Sequence, residues 1–308
     1  MSRETRTLLD PRLISRIKNF ELRARLIVEG FITGLHRSPY HGFSVEFAEH
    51  RAYHPGDELR YVDWKVYGKS DRFYVKQYLE ETNVRAYMLL DTSSSMRYRF
   101  RADFSKLAYA AHLAAALQYL MLLQRDAVGL VIFDEAIRSW FPARSAPAYR
   151  RVLLRQLEAL LADASSSERR RTNAAAALHE VAERLRRRSL VIVLTDLLEE
   201  DPEALLAALR HLRYRKHEVI LFHILEEAAE RKLELPNQPV ILEDVETGET
   251  LPVHPGALRG AYQEAVRRFM DTFRRRCREN RIDFVELDTA TPYDVALLHY
   301  LGRRSKLF

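Results

Sequence analysis

A chain of 308 residues can bury a sizeable core as one large or two modest domains, with no need of covalent staples. Its 47% hydrophobic and 30% charged residues exclude a disordered chain, a collagen-like repeat and a coiled-coil rod, and its one cysteine, Cys277, excludes an intramolecular disulfide framework or a multi-cysteine metal site. The 49 Lys and Arg against 43 Asp and Glu leave a net charge of only +6, so the pI near 9.4 reflects a mixed, arginine-biased surface more than a nucleic-acid footprint. Cysteine usage points to a reducing, cytoplasmic setting.

Met1 to Arg6 runs into a charged amphipathic segment with no apolar signal-peptide core, so no export is expected. Apolar runs are soon broken by Arg, Glu or Asp, and no membrane span is expected. From Pro11 to about His36 the apolar residues Ile14, Ile17, Phe20, Ile27 and Phe31 recur at helical spacing and predict an amphipathic helix, which sets residues 1–37 apart. Residues 38–84 change texture. Pro and Gly punctuate them, and aromatic and β-branched residues crowd at Phe43–Phe47 and Phe73–Tyr78, predicting a small β-rich unit.

From residue 85 to 308 strands and helices alternate. Strand candidates at Ala86–Leu90, Val128–Phe133, Leu190–Thr195, Val219–Ile224 and Phe284–Leu287 are separated by helical stretches near 103–124, 148–162, 173–187 and 203–213. Such alternation requires crossover connections, hence an α/β fold: a doubly wound, mostly parallel sheet with helices on both faces. Ile137–Phe141 follows too closely for a crossover and predicts an antiparallel hairpin partner. Residues 225–256, with Pro236, Pro252, Pro255 and the turn-like Glu246-Thr247-Gly248, form an excursion that could join the 38–84 unit as a hairpin. Helices over 257–280 and from about Pro292 to Gly302 complete the chain.

Ligands of a doubly wound sheet bind beyond the carboxyl ends of its strands. After the first strand of the alternation comes Asp91-Thr92-Ser93-Ser94-Ser95, which in an extended segment points Asp91, Ser93 and Ser95 one way. Asp196 follows the strand ending at Thr195, and Thr172 stands at the predicted N-cap of the 173–187 helix. Hard oxygen donors without imidazole or thiolate suit Mg²⁺ or Mn²⁺. A D-x-S-x-S string alone equally describes a turn with helix-capping serines.

These three separated elements resemble the von Willebrand factor type A fold and its metal-ion-dependent adhesion site. The resemblance implies direct metal ligation by Ser93, Ser95 and Thr172, with Asp91 and Asp196 acting mainly through water, and an open position for a partner's acidic residue. Upstream, Gly42–Phe47 and then Arg51-Ala52-Tyr53-His54-Pro55-Gly56-Asp57-Glu58-Leu59-Arg60-Tyr61-Val62-Asp63-Trp64-Lys65 resemble the signature of the domain-of-unknown-function family 58. That resemblance implies a MoxR-type AAA+ ATPase as partner. Two residues depart from the wider fold's habits: Leu197 after Asp196 and Arg171 before Thr172 stand where glycines are common.

Arg51, Asp57, Arg60 and Asp63 read as mutually paired charges that lock the β-rich unit, and no histidines show H-E-x-x-H spacing. Arg169–Arg171 and Arg186–Arg188 read as solvated charge, the second run as the close of a helix. Arg97, Arg99 and Arg101 could rim the metal loop. The reading of the whole is a non-enzymatic, metal-dependent protein-interaction module that acts with an ATPase or its client in assembly, maturation or stress handling. The alternatives are a metal-dependent phosphohydrolase with Asp91 as nucleophile and a nucleic-acid-binding protein.

Overall fold

The computed structural model describes residues 10–17, 19–36, 50–52, 68, 74–76, 84–163, 172–186, 188–199 and 201–304. The chain divides into two units, residues 38–83 and the remainder. In the smaller, β1 (His50–Ala52) pairs antiparallel with β2 (Tyr74–Lys76), His50 opposite Lys76. The rest of the family-signature string, Trp64 included, lies outside the described residues, as does Phe43–Phe47.

The larger unit is a mixed α/β layer structure. The N-terminal segment makes a short helical turn, Pro11–Ile14, then helix α1 (Phe20–His36), where one continuous helix was expected. Asn19 supplies the break: its side chain accepts from Leu22 N at 2.8 Å and starts α1 afresh. Phe20, Ala24, Ile27, Val28 and Phe31 then pack into the core of this unit. Its elements continue as β3 (Arg85–Asp91), α2 (Lys106–Leu123), β4 (Ala127–Phe133), β5 (Ile137–Arg144), α3 (Tyr149–Asp163), α4 (Ala174–Arg184), β6 (Leu190–Thr195), α5 (Pro202–Tyr214) and β7 (Glu218–Leu225). A hairpin of β8 (Val240–Glu243) and β9 (Thr250–Val253) precedes α6 (Pro255–Glu279), β10 (Asp283–Asp288) and α7 (Asp294–Arg304).

Six strands form one sheet in the order β10-β7-β6-β3-β4-β5, parallel throughout except for β5, the expected antiparallel partner of β4. Parallel strands buried on both faces read as unbroken apolar runs, and period-two alternation deals their residues to two cores. Met88, Leu90, Leu130, Ile192 and Phe222 face one core with α1, α2, α3 and α7, whereas Leu89, Val131, Val193 and Leu221 face the other with α4, α5 and α6. Helix α2 is apolar all round because α1, α3 and α7 enclose it. Among the described residues it is the helix long and apolar enough to cross a membrane by length and composition, where apolar runs were expected to be broken sooner, and most of it is buried inside this core.

Beyond β3 the chain moves outward through β4 and β5, then returns to place β6 on the opposite side of β3 and continues to β7 and β10. The carboxyl ends of β3 and β6 therefore flank the point where the winding reverses, the crevice in which open α/β sheets hold ligands. Leu90 pairs with Leu194, so Asp91 and Thr195 emerge side by side.

Candidate functional site

Asp91 closes β3 with its carboxylate wholly buried. One oxygen accepts from Ser93 N at 2.9 Å and the other from Thr195 Oγ1 at 2.6 Å, so β6 helps orient it. Burial, then the charge of Asp196, raises the carboxyl's pKa to about 7 against the opposing hydrogen bonds of Thr195 and Ser93. A carboxylate so placed favours any added positive charge.

Ser93 Oγ and Ser95 Oγ lie 2.9 Å apart, both residues buried. Their convergence was expected of an extended segment, but the backbone turns: Ser94 is helical (φ −63°, ψ −33°) and Ser95 opens a 3₁₀ turn through Arg97. The fold-back, rather than strand alternation, brings the hydroxyls together. Thr92 points away and donates to Phe133 O at 2.9 Å, tying the loop to β4.

Thr172 also corrects its predicted role. The N-cap of α4 is Asn173, whose side chain accepts from Ala176 N at 3.0 Å; Thr172 is one residue earlier, with its Oγ1 buried and making no hydrogen bond. Its N–H donates to Glu246 Oε2 at 2.9 Å. Glu246, on the turn between β8 and β9, also neighbours the Ser95 hydroxyl and N–H and the charge of Asp196. Burial raises its carboxyl's pKa, with the Thr172 and Ser95 donors opposing.

Asp196 follows β6 and is buried. Its Oδ1 accepts from Leu198 N at 3.2 Å and its Oδ2 from Lys106 Nζ at 2.7 Å. Lys106, 1% exposed in the first turn of α2, also contacts the Glu230 carboxylate. Burial alone would discharge this ammonium, but Asp196 and Glu230 outweigh it and hold the pKa above the ordinary lysine value. Leu197, flagged for standing where glycine is common, takes the left-handed conformation (φ 60°) and buries its side chain. The strain that a glycine would avoid is thus stored between Asp196 and Leu198. Arg171 lies outside the described residues.

Sequence reasoning missed Lys106, Glu246 and a further carboxylate, Glu226. Glu226 is buried after β7 and accepts from the N–H groups of Phe100 (2.6 Å), Arg101 (2.5 Å) and Ala102 (3.0 Å), which fixes the loop between the serines and α2. The expected arginine rim is uneven. Arg101 Nη1 pairs with Glu234 Oε2 at 3.1 Å, Arg97 is half-buried and Arg99 is exposed. The run Arg186–Arg188 lies beyond α4, which ends at Arg184, and so does not close that helix. His112 takes a packing role: enclosed by Phe20 and Phe104, it receives Arg23 Nη1 at 3.0 Å.

Among the described residues, no three His, Cys, Asp or Glu side chains cluster as metal ligands. The donor set here is different, two clustered serine hydroxyls with a threonine hydroxyl and flanking carboxylates. Thr172 Oγ1 and Glu246 Oε1 are both buried without a hydrogen bond, and orphaned hard oxygens of this kind fit a hard divalent cation.

The architecture and site define a mixed α/β protein with a hydroxyl-and-carboxylate cluster at the sheet's reversal point. Residues 49–271 match the family described as "Protein of unknown function DUF58", and the chain belongs to that family. Its relatives include the uncharacterised proteins Rv1480 of Mycobacterium tuberculosis and Mb1516 of Mycobacterium bovis, each 28% identical over 240 residues, 78% of this chain and 73% of theirs. Among solved structures it is similar to the conserved hypothetical protein BatB from Bacteroides thetaiotaomicron (13% identity, 72% of this chain and 99% of that one, TM-score 0.45). It is also similar to an aerotolerance-related membrane protein from Bacteroides fragilis (16% identity, 71% and 99%, TM-score 0.45).

Proposed function

We propose that the protein is a non-enzymatic, metal-dependent interaction module of the von Willebrand factor type A kind, acting in the cytoplasm with a MoxR-type AAA+ ATPase or its client. The observation that carries this reading is the convergence of Asp91, Ser93 and Ser95 beside Thr195 and Asp196 at the winding reversal, with Thr172 joined to them through Glu246. Mg²⁺ or Mn²⁺ would be held by the hydroxyls of Ser93, Ser95 and Thr172, with Asp91 and Asp196 supporting through water. An ion held by neutral hydroxyls keeps much of its charge, so an acidic side chain gains more there than water does.

The buried, doubly hydrogen-bonded carboxylate of Asp91 supports a ligand-orienting role over nucleophilic attack, which needs an accessible oxygen and a base in reach. The near-balanced charge supports a protein partner over nucleic acid. A direct test is the affinity of a purified MoxR-type ATPase for wild type, Asp91→Ala and Trp64→Ala, each in Mg²⁺ and in chelator. Binding that needs both the ion and Asp91 supports the module; binding indifferent to chelator and lost only in Trp64→Ala removes the metal-bridged interface.

One observation favours a second reading. Asp196 already holds a buried cation, Lys106, which Glu230 shares. On that reading the cluster is a structural ion-pair network, and added metal leaves stability unchanged.

A further inference from the structure

We infer that Glu246 is itself a ligand of the divalent cation, supplied within the chain by the tip of the β8–β9 hairpin. The inference rests on the metal-dependent reading above and adds a residue to the donor set. The hairpin tip is built to present this side chain. Asp244 Oδ1 accepts from Glu246 N at 2.7 Å and from Thr247 N at 3.0 Å, while Asp244 N donates to Glu249 O at 2.8 Å. Gly248 closes the turn at φ 79°, a conformation that side-chain-bearing residues adopt at a cost.

The carboxylate so presented is only half satisfied. Oε2 accepts from Thr172 N, but Oε1 is buried and makes no hydrogen bond; Ser95 neighbours the same carboxylate, and Thr172, whose N–H bonds it, carries an equally orphaned Oγ1. An ionised carboxylate offers about four lone-pair positions, and burying them unused is costly. Charge points the same way: Asp196 lies close enough to repel both Asp91 and Glu246, while the buried Lys106 ammonium pairs with Asp196 and Glu230. A divalent ion placed among these oxygens would satisfy Glu246 Oε1 and Thr172 Oγ1 together.

The hairpin's own packing gives this consequence. Neither β8 nor β9 contributes a fully buried residue, and Ile241 and Leu251 are 72% and 62% exposed. Its hold on the sheet unit therefore depends heavily on the tip, and a metal bound to Glu246 fastens the hairpin across the site. A partner's carboxylate must then take a remaining position or displace Glu246.

The test uses the full chain with Mn²⁺ alone as probe, in wild type, Glu246→Gln, Glu246→Ala and the Ser93→Ala, Ser95→Ala double variant. Paramagnetic resonance gives Mn²⁺ affinity, water-proton relaxation reports water on the bound ion, and hydrogen exchange reports residues 240–253. Expected are affinity roughly tenfold weaker in both Glu246 variants, greater relaxation per bound ion as water replaces the carboxylate, and Mn²⁺-dependent protection of the hairpin in wild type alone. Glu246→Gln is nearly isosteric at this half-buried position, and cooperative unfolding in chelator at the wild-type midpoint checks that its fold is kept. Mn²⁺ binding that is lost in the serine variant but unchanged in both Glu246 variants overturns the inference and leaves the metal reading standing. Weaker affinity with unchanged relaxation overturns direct ligation. Absence of Mn²⁺ binding in wild type overturns both.

Discussion

Replacing Lys106 by methionine keeps the stem of the side chain and removes only the ammonium. That ammonium lies 2.7 Å from Asp196 Oδ2 and touches Glu230, with the side chain 1% exposed. At this separation the attraction to Asp196 is about 6 kcal/mol at an effective dielectric of about 20. Desolvation of the ammonium returns several kcal/mol of it, and methionine also relieves the unfavourable position of a cation at a helix N-terminus by about 0.5 kcal/mol. What remains is the penalty for two carboxylates left buried without their cation, which sets the net destabilisation at about 3 kcal/mol. For a unit of this size that lowers Tm by roughly 6 to 12 °C. Urea and thermal unfolding in chelator measure it, and the same scans in Mg²⁺ should recover part of the loss, because the ion supplies the missing charge. A Lys106→Met protein as stable as wild type in chelator would refute the view that this ammonium balances the site.

Three further outcomes are expected. His112 has its pKa lowered to about 3 by burial, against an ordinary value near 6.5, so the fold favours the neutral ring. Stability should hold above pH 6.5 and fall below it by up to about 1.4 kcal/mol per pH unit toward the folded-state pKa, a slope that His112→Gln should reduce in urea titrations between pH 6.5 and 4.5. At Leu197, with φ 60°, glycine should cost less than alanine by about 1 kcal/mol, the reverse of the usual order, because both lose the buried side chain and only glycine relieves the backbone. Equal urea midpoints would contradict that. Glu226→Ala should leave the N–H groups of Phe100, Arg101 and Ala102 without their acceptor and speed their hydrogen exchange by at least tenfold, with little change in β3.

The sheet was legible because its strands are buried on both faces, so Leu190–Thr195 and its neighbours read as apolar runs whose spacing admits only crossover helices. Asp91 and Asp196 followed from that topology, since residues just beyond adjacent parallel strands must be neighbours. The serine hydroxyls meet for a reason periodicity cannot supply, the helical turn at Ser94. Thr172 and Asn173 are both competent caps, and only the backbone path decides that Asn173 starts α4. Lys106 left a signal: a cation in the first turn of an otherwise apolar helix opposes the macrodipole and calls for a buried acid. Glu246 left a fainter one. The Asp244-to-Gly248 turn was readable, but its delivery to Thr172, 74 residues away in sequence, is a tertiary fact.

The central claim, that these oxygens form a divalent-cation site, is tested most directly by calorimetric titration of Mg²⁺ and Mn²⁺ into wild type and into the Ser93→Ala, Ser95→Ala variant. The account predicts one saturable site of modest affinity in wild type, lost in the variant while its unfolding in chelator stays cooperative. Equal binding by the two proteins, or none by wild type at millimolar metal, would contradict it.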